Sequence, residues 1–175
     1  MNSHLRPVVE SDLARLLEWR NHEKNKSMML TQSSIEYEDH LKWFERTQAE
    51  GKKLLLVYEE MDEPVGHVNF SGSRADQVVE WGFYTSPYAP KGTGLRMGAA
   101  ALKLAFNQYK FHKICGAVLA YNTASLVYHE RLGFLKEGEQ RDQIQVGTQH
   151  VNLIHFGLLR IEWLHSQEKS NEQSI

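Results

Sequence analysis

Gly92-Thr93-Gly94 stand between a β-branched, aromatic run and a stretch of helical periodicity. A glycine turn that opens a helix leaves several main-chain N–H groups without intrahelical partners, at the positive end of the helix dipole. Such a spot accepts a phosphate, and glycines let it come close to the backbone. The same turn can also do no more than join strand to helix. Two other phosphate motifs are excluded. Met97 stands where the dinucleotide fingerprint needs its third glycine, and no Gly-Lys-Ser/Thr marks a P-loop. Two side chains have the chemistry to move a proton. Glu80 alternates with Gly82 and Tyr84 on one face of the strand before the turn, and His67 shares a face with Asn69 on the strand before that. A lone strand histidine is more often a hydrogen-bonded core residue than a base. Covalent catalysis lacks a nucleophile: there is no G-x-S-x-G, and Cys115 has neither a base nor a helix dipole to activate it.

These residues need elements to hold them. Val78–Tyr84 reads as a strand, Thr85–Lys91 as a loop, and Met97, Ala101, Leu104 and Ala105 as the inward stripe of a helix. Lys113–Leu119 is the next strand, followed by a helix that carries Tyr128, six residues after Asn122. Upstream, Leu5–Val9 predicts a short strand that Pro7 confines to an edge. Ser11 is the expected N-cap of a helix with Leu13, Leu16, Leu17 and Arg20 on one stripe. A loop through Lys24–Thr31 leads to Ser33-Ser34-Ile35-Glu36, a capping-box pattern, and to a second helix with Ile35, Leu41 and Phe44 inward, stopping near Gly51. Leu54–Glu59, Val65–Phe70 and Val78–Tyr84 form an antiparallel meander with turns at Asp62-Glu63-Pro64 and Gly72–Asp76. Lys136–Val146 and Val151–Leu159 make a closing hairpin about Gly147-Thr148, and Arg160–Leu164 a last helical turn or tail. The expected fold is α/β (α+β): one domain over 1–165 with a mixed, mostly antiparallel sheet and helices on both faces, then a polar, disordered tail at 166–175.

The order strand, G-x-G, helix, strand, N-x-x-S-x-x-Y-x-x-x-x-G-F, here Asn122, Ser125, Tyr128 and Gly133-Phe134, resembles the acetyl-CoA-binding core of the GNAT acetyltransferase superfamily. The resemblance implies that the strand before the turn splays from the one after it, and that the pantetheine arm pairs with Phe83, Tyr84 and Thr85. It places the pyrophosphate on Lys91, Gly92, Thr93, Gly94 and Leu95. Relatives usually carry Gln or Arg three residues before the first glycine; this chain has Ala89, followed by Pro90 with no N–H. Lys91 is the expected cationic substitute. Acetyl-CoA is the implied co-substrate, with no metal. Tyr128 matches the family's general acid, and a phenol with a pKa of about 10 stays protonated at neutral pH. The bland reading is a packing tyrosine with its hydroxyl at the surface. Asn122 would hold the pantetheine amide or simply cap its helix. Ser125 completes the motif, and Arg131 and Lys136 are cations for the ADP phosphates or plain solvated charges. The base is Glu80, working through water, or its rival His67.

Glu18-x-Arg20-Asn21-His22-Glu23 around Trp19, then Lys26, Met28-Met29, His40 and Trp43-Phe44, resembles one branch of that superfamily. It acetylates the 4-amine of UDP-4-amino-4,6-dideoxy-N-acetyl-β-L-altrosamine in pseudaminic-acid biosynthesis. Relatives tend to have Arg where Lys26 stands, and Lys cannot make the bidentate phosphate contact of Arg. Trp19, Trp43 and Phe44 offer flat surfaces to a uracil, while Arg20, Asn21, Lys26 and His40 could meet the UDP-sugar's polar groups. The competing account puts Trp19 and Phe44 in the core of two amphipathic helices.

A length of 175 residues and 41% apolar content describe one globular domain with a core of its own. No apolar run reaches the roughly 20 residues of a membrane span, and the N-terminus lacks signal-peptide features. The single cysteine excludes an internal disulfide and fits the cytoplasm. A net charge of −2 gives no electrostatic basis for nucleic-acid binding. The expected partner is a nucleotide-sugar, with a monomer or homodimer as the assembly. Two other functions stay open: acetylation of a protein N-terminus or another small amine, and a non-catalytic acyl-CoA-binding module.

Overall fold

The computed structural model describes residues 2–72 and 77–172, with side chains through Lys169. Among the described residues, seven strands and six α-helices follow in the order β1 (Ser3–Pro7), α1 (Leu13–Asn21), α2 (Glu23–Lys26), α3 (Tyr37–Glu50), β2 (Lys53–Glu60), β3 (Glu63–Ser71), β4 (Val78–Thr85), α4 (Thr93–Lys103), β5 (Lys113–Leu119), α5 (Thr123–Arg131), β6 (Leu135–Val146), β7 (Gln149–Leu159) and α6 (Arg160–Glu172). They build one mixed sheet of order β1-β2-β3-β4-β5-β7-β6. The β1–β2, β2–β3, β5–β7 and β6–β7 pairs are antiparallel, and β4 runs parallel to β5 from Val78↔Lys113 to Glu80↔Cys115. The mixed, mostly antiparallel fold expected from the sequence is the one observed.

Two compact units make up the chain: Met1–Gly72 with Trp81–Leu102, and Ser73–Glu80 with Lys103–Ile175. In the first, Leu13, Leu16 and Trp19 of α1 meet Phe44 of α3 and Leu55 and Val57 of β2 in one apolar cluster, with Leu41, Trp43 and Tyr84 packed against it. The helical stripe and the strand alternation read in the sequence are the two surfaces this cluster joins. In the second unit, β5 and β7 bury Ile114, Leu119, Phe156 and Leu158. The ring of Phe106 lies 5.5 Å from that of Trp163 on α6.

Several boundaries differ from expectation, each for a local reason. β1 occupies Ser3–Pro7 rather than Leu5–Val9, because the chain then turns into a short 3-10 segment at Glu10–Asp12. Asp12, not Ser11, satisfies the open end: its Oδ2 accepts from the Val9 amide at 2.9 Å and from Arg6 Nη1 at 2.7 Å. The Ser33–Glu36 capping box does not form. α3 starts at Tyr37, and the main chain of Ile35 is instead paired to Asn21, its carbonyl at 2.8 Å and its amide at 3.0 Å. The loop after α1 contains the four-residue α2. The β2–β3 turn sits on Met61 and Asp62, both left-handed (φ 54 and 65). The Gly72–Asp76 turn falls largely on residues outside those described. α6 continues past Ser166 to Glu172, where only a last turn and a tail were expected; its polar sequence carries no apolar stripe to announce it. Among the described residues, no helix is long and apolar enough to cross a membrane.

Candidate active site

The first unit contains the glycine turn and the end of β4. Phe83, Tyr84 and Thr85 are half-buried. The Phe83 ring tilts against Trp81 at 4.9 Å, and the Tyr84 hydroxyl donates to the Leu16 carbonyl at 3.3 Å. Gly82 is needed by its neighbour: a Cβ there would stand 2.8 Å from Asn69 Nδ2, which donates to the Gly82 carbonyl at 3.2 Å. Asn25, a residue without a motif to mark it, joins the Trp19 and Thr85 carbonyls through one amide group at 2.8 and 2.9 Å. The turn that follows is tightly closed. The Thr93 amide donates to the Pro90 carbonyl at 3.1 Å, and the Arg96 amide to that of Gly92 at 3.2 Å. Gly92 adopts φ +87, a conformation that disfavours any side chain, and a Cβ would meet Arg96 Nη1 at 2.9 Å. Lys91 and Gly92 are exposed, Gly94 and Leu95 half-buried, and Thr93 is fully buried.

The turn rests on an ion pair that sequence reasoning missed. Arg96 Nε and Nη2 donate to Glu60 Oε1 and Oε2 at 2.6 and 2.9 Å, and Nη2 also reaches Thr93 Oγ1 at 3.0 Å. The Tyr58 hydroxyl donates to Glu60 Oε1 at 3.1 Å. The Arg96 guanidinium holds the buried Glu60 carboxyl below the usual carboxylate range, against the opposing pull of desolvation. Glu60 and Arg96 lie 36 residues apart, so periodicity carried no sign of the pair.

The residues expected on the acceptor side also lie in the first unit, though not all as free surface. Trp19 and Phe44 belong to the core. Arg20 is buried, and Nη1 and Nη2 donate to the Ser33 and Thr31 carbonyls at 2.6 Å each. That geometry commits the guanidinium to holding the loop. Asn21 likewise anchors Ile35, and Lys26 lies 3.4 Å from Glu23. His40 stacks on Trp43 at 5.2 Å, and His67 tilts on Tyr84 at 5.1 Å. These two imidazoles are 6% and 4% exposed. His40 Nε2 and His67 Nδ1 make no hydrogen bond to the described residues. Burial lowers both pKa values, that of His67 to about 4, and the nearby charge of Arg20 adds to the effect on His40. Both are neutral at pH 7.

In the second unit, Asn122 caps α5: its Oδ1 accepts from the Ser125 amide at 3.1 Å. Ser125 in turn offers its carbonyl to His129 Nδ1 at 2.7 Å. His129, buried and stacked on Phe156 at 4.9 Å, anchors the helix and was not anticipated, because α5 is only weakly amphipathic. Tyr128 stands edge-on to His129 at 5.8 Å and is half-buried, and desolvation pushes its phenol far above the ordinary value. Arg131 is exposed, and Lys136 pairs with Glu139 at 2.8 Å. Glu80 is exposed opposite Cys115, whose thiol burial pushes up, away from reactivity.

Residues 3–135 match the acetyltransferase (GNAT) domain, and the chain belongs to that family. Two curated Bacillus subtilis (strain 168) proteins share local similarity. The SPbeta prophage-derived uncharacterized N-acetyltransferase YokL is 33% identical over 86 residues, 47% of this chain and 49% of that protein. The putative ribosomal N-acetyltransferase YdaF is 34% identical over 76 residues, 42% of this chain and 41% of that protein. The matches thus span about half or less of these relatives. Among solved structures, the spermidine N-acetyltransferase of Vibrio cholerae in complex with CoA and spermine aligns with TM-score 0.86 at 18% identity, over 93% of this chain and 98% of that one. An N-acetyltransferase from Staphylococcus aureus Mu50 aligns with TM-score 0.76 at 19% identity, over 91% and 99%. At these identities the likeness is one of fold.

Proposed function

We propose that this N-acetyltransferase acts on the 4-amine of a UDP-linked amino-dideoxy sugar, as in pseudaminic-acid biosynthesis. The observation that supports this reading is the character of the Arg20–His40–Trp43–His67–Tyr84 layer. The nearby charge of Arg20 adds to the lowering of the His40 pKa, and the carboxylate of Asp12 that acts on His67 is already bound by Arg6. A polyamine acceptor needs carboxylates; a neutral sugar carrying an anionic nucleotide does not. The two unpartnered imidazole nitrogens match a ligand rich in hydroxyl and amide groups, since buried polar atoms are normally hydrogen-bonded.

Acetyl-CoA supplies the acetyl group as a thioester. The acceptor amine forms the C–N bond as the C–S bond breaks, so one proton leaves the nitrogen and one must reach the sulfur. Tyr128 is the donor to the thiolate in this reading, recharged from solvent, and Phe83 to Thr85 offer main-chain pairing to the pantetheine arm. Asn122 keeps its amide NH2 for the same arm while Oδ1 caps α5. His67, with a pKa of about 4, is a poor store for a proton taken from an amine. Glu80, exposed to water, takes that role.

Turnover of acetyl-CoA against UDP-4-amino sugars, spermidine and amine-bearing peptides tests the assignment. The UDP-sugar should give the highest kcat/KM. Faster turnover of spermidine, or of a ribosomal-protein N-terminus as the local likeness to YdaF favours, would replace it.

A further inference from the structure

A single carboxamide spans the end of α1 and the end of β4. Asn25 Nδ2 donates to the Trp19 carbonyl at 2.8 Å and to the Thr85 carbonyl at 2.9 Å, so both of its N–H groups are used. We propose that Asn25 is a positioning residue for acetyl transfer: it locks the acceptor loop at 27–36 to the donor's edge, so that binding at one is felt at the other. The assignment rests on Phe83 to Thr85 serving as that edge.

The direction of the Thr85 carbonyl follows from its own peptide unit. The Ser86 amide donates to the Val65 carbonyl of β3 at 2.9 Å. A trans peptide points its C=O opposite to its N–H, so the Thr85 carbonyl faces away from β3. The β4–β5 register runs from Val78 to Glu80 and stops short of Thr85. The carbonyl keeps a second lone pair for a ligand N–H while Asn25 holds the first. Two further contacts follow this one in antiparallel order. Lys24 Nζ donates to the Pro87 carbonyl at 3.1 Å, and the His22 ring stands edge-on to that of Tyr88 at 5.9 Å. Residues 22–25 thus lie along 85–88, the stretch that leads into the glycine turn. On its other side the loop hangs from α1, where Arg20 holds the Thr31 and Ser33 carbonyls and Asn21 holds Ile35. Hydrogen bonds therefore connect Thr85 through Asn25 and the end of α1 to the loop. That connection matters because an amine must sit about 3–3.5 Å from the thioester carbon, and a displacement of about 1 Å can cost a hundredfold in rate.

Hydrogen exchange of the full chain with and without CoA tests the link and needs no acceptor. In the wild type, CoA should slow exchange at 83–92 and also at 27–36. Asn25→Ala and the isosteric Asn25→Asp, which has no side-chain N–H to give, should keep the first protection and lose the second. Their Kd for CoA should change less than about tenfold, the span of one neutral hydrogen bond. Their kcat, read with whichever of UDP-4-amino sugar, spermidine or peptide turns over fastest, should fall on the order of a hundredfold. Protection confined to 83–92 in the wild type overturns the proposal, even if neither variant folds. So does protection of 27–36 that survives in both variants. A lowered melting point with unchanged kcat would make Asn25 a purely structural tie. Absence of protection at 83–92 would remove the donor's edge itself, and the proposal with it, whereas a wrong acceptor assignment leaves the exchange result intact.

Discussion

The glycine turn and the histidine layer belong to the same unit of the chain, yet they treat buried polar groups in opposite ways. Around the turn, Tyr58, Glu60, Thr93 and Arg96 satisfy one another in a closed set. In the layer, His40 and His67 are equally buried but keep a nitrogen each without a hydrogen bond to the described residues. A satisfied network fixes one geometry, while an unsatisfied one costs stability until something completes it. The contrast suits a donor that is always the same molecule and an acceptor that must be selected.

Acidification should separate the two regions most strongly. His67 folds with a pKa of about 4 against 6.5 for a free imidazole, so between those values the unfolded chain binds the extra proton. Stability from this group is complete above pH 6.5, falls as pH drops toward 4 and then levels off, a loss of about 3 kcal/mol. Glu60 has the opposite ionisation but the same direction: its depressed carboxyl keeps its contribution above the ordinary glutamate value and loses it only below that. Urea denaturation across pH 4–7 should therefore show a slope that His67→Leu reduces and Glu60→Gln does not. A slope left unchanged by His67→Leu would break the comparison.

Tyr128→Phe comes next in size and serves as the reference outside both regions. Turnover should drop on the order of a hundredfold, the low end for losing a general acid, while the calorimetric Kd for CoA stays the same. Equal turnover in the variant would move the protonation of sulfur to another group. Gly92→Ala should have the smallest effect. Its positive φ costs a residue with a Cβ about 1 kcal/mol, and the crowded Arg96 end can swing aside. A melting shift of a few degrees with a several-fold weaker CoA affinity is expected. An unshifted melt with normal affinity would mean the turn is looser than its hydrogen bonds imply.

Much of the frame was legible because it depends on local periodicity. Lys113–Leu119 begins and ends where the apolar run does. Asn122 reads as a cap because its side chain serves an amide three residues on. The acceptor residues were harder to read. Arg20 looks like a phosphate ligand by type, but the loop folds back and presents two carbonyls to it. Ser33 and Glu36 spell a capping box, but Asn21 claims the neighbouring main chain first. Neither choice could be seen without knowing which distant segments meet.

The sequence by itself determined the order of strands and helices, the glycine turn at the head of α4 and the tyrosine on α5, since spacing and backbone sterics act over a few residues. Tertiary structure decided which polar groups are spent on one another and which are left for a ligand. Glu60 with Arg96, and one nitrogen each of His40 and His67 without a hydrogen bond to the described residues, are products of packing, because hydrogen bonds and burial are settled by neighbours in space.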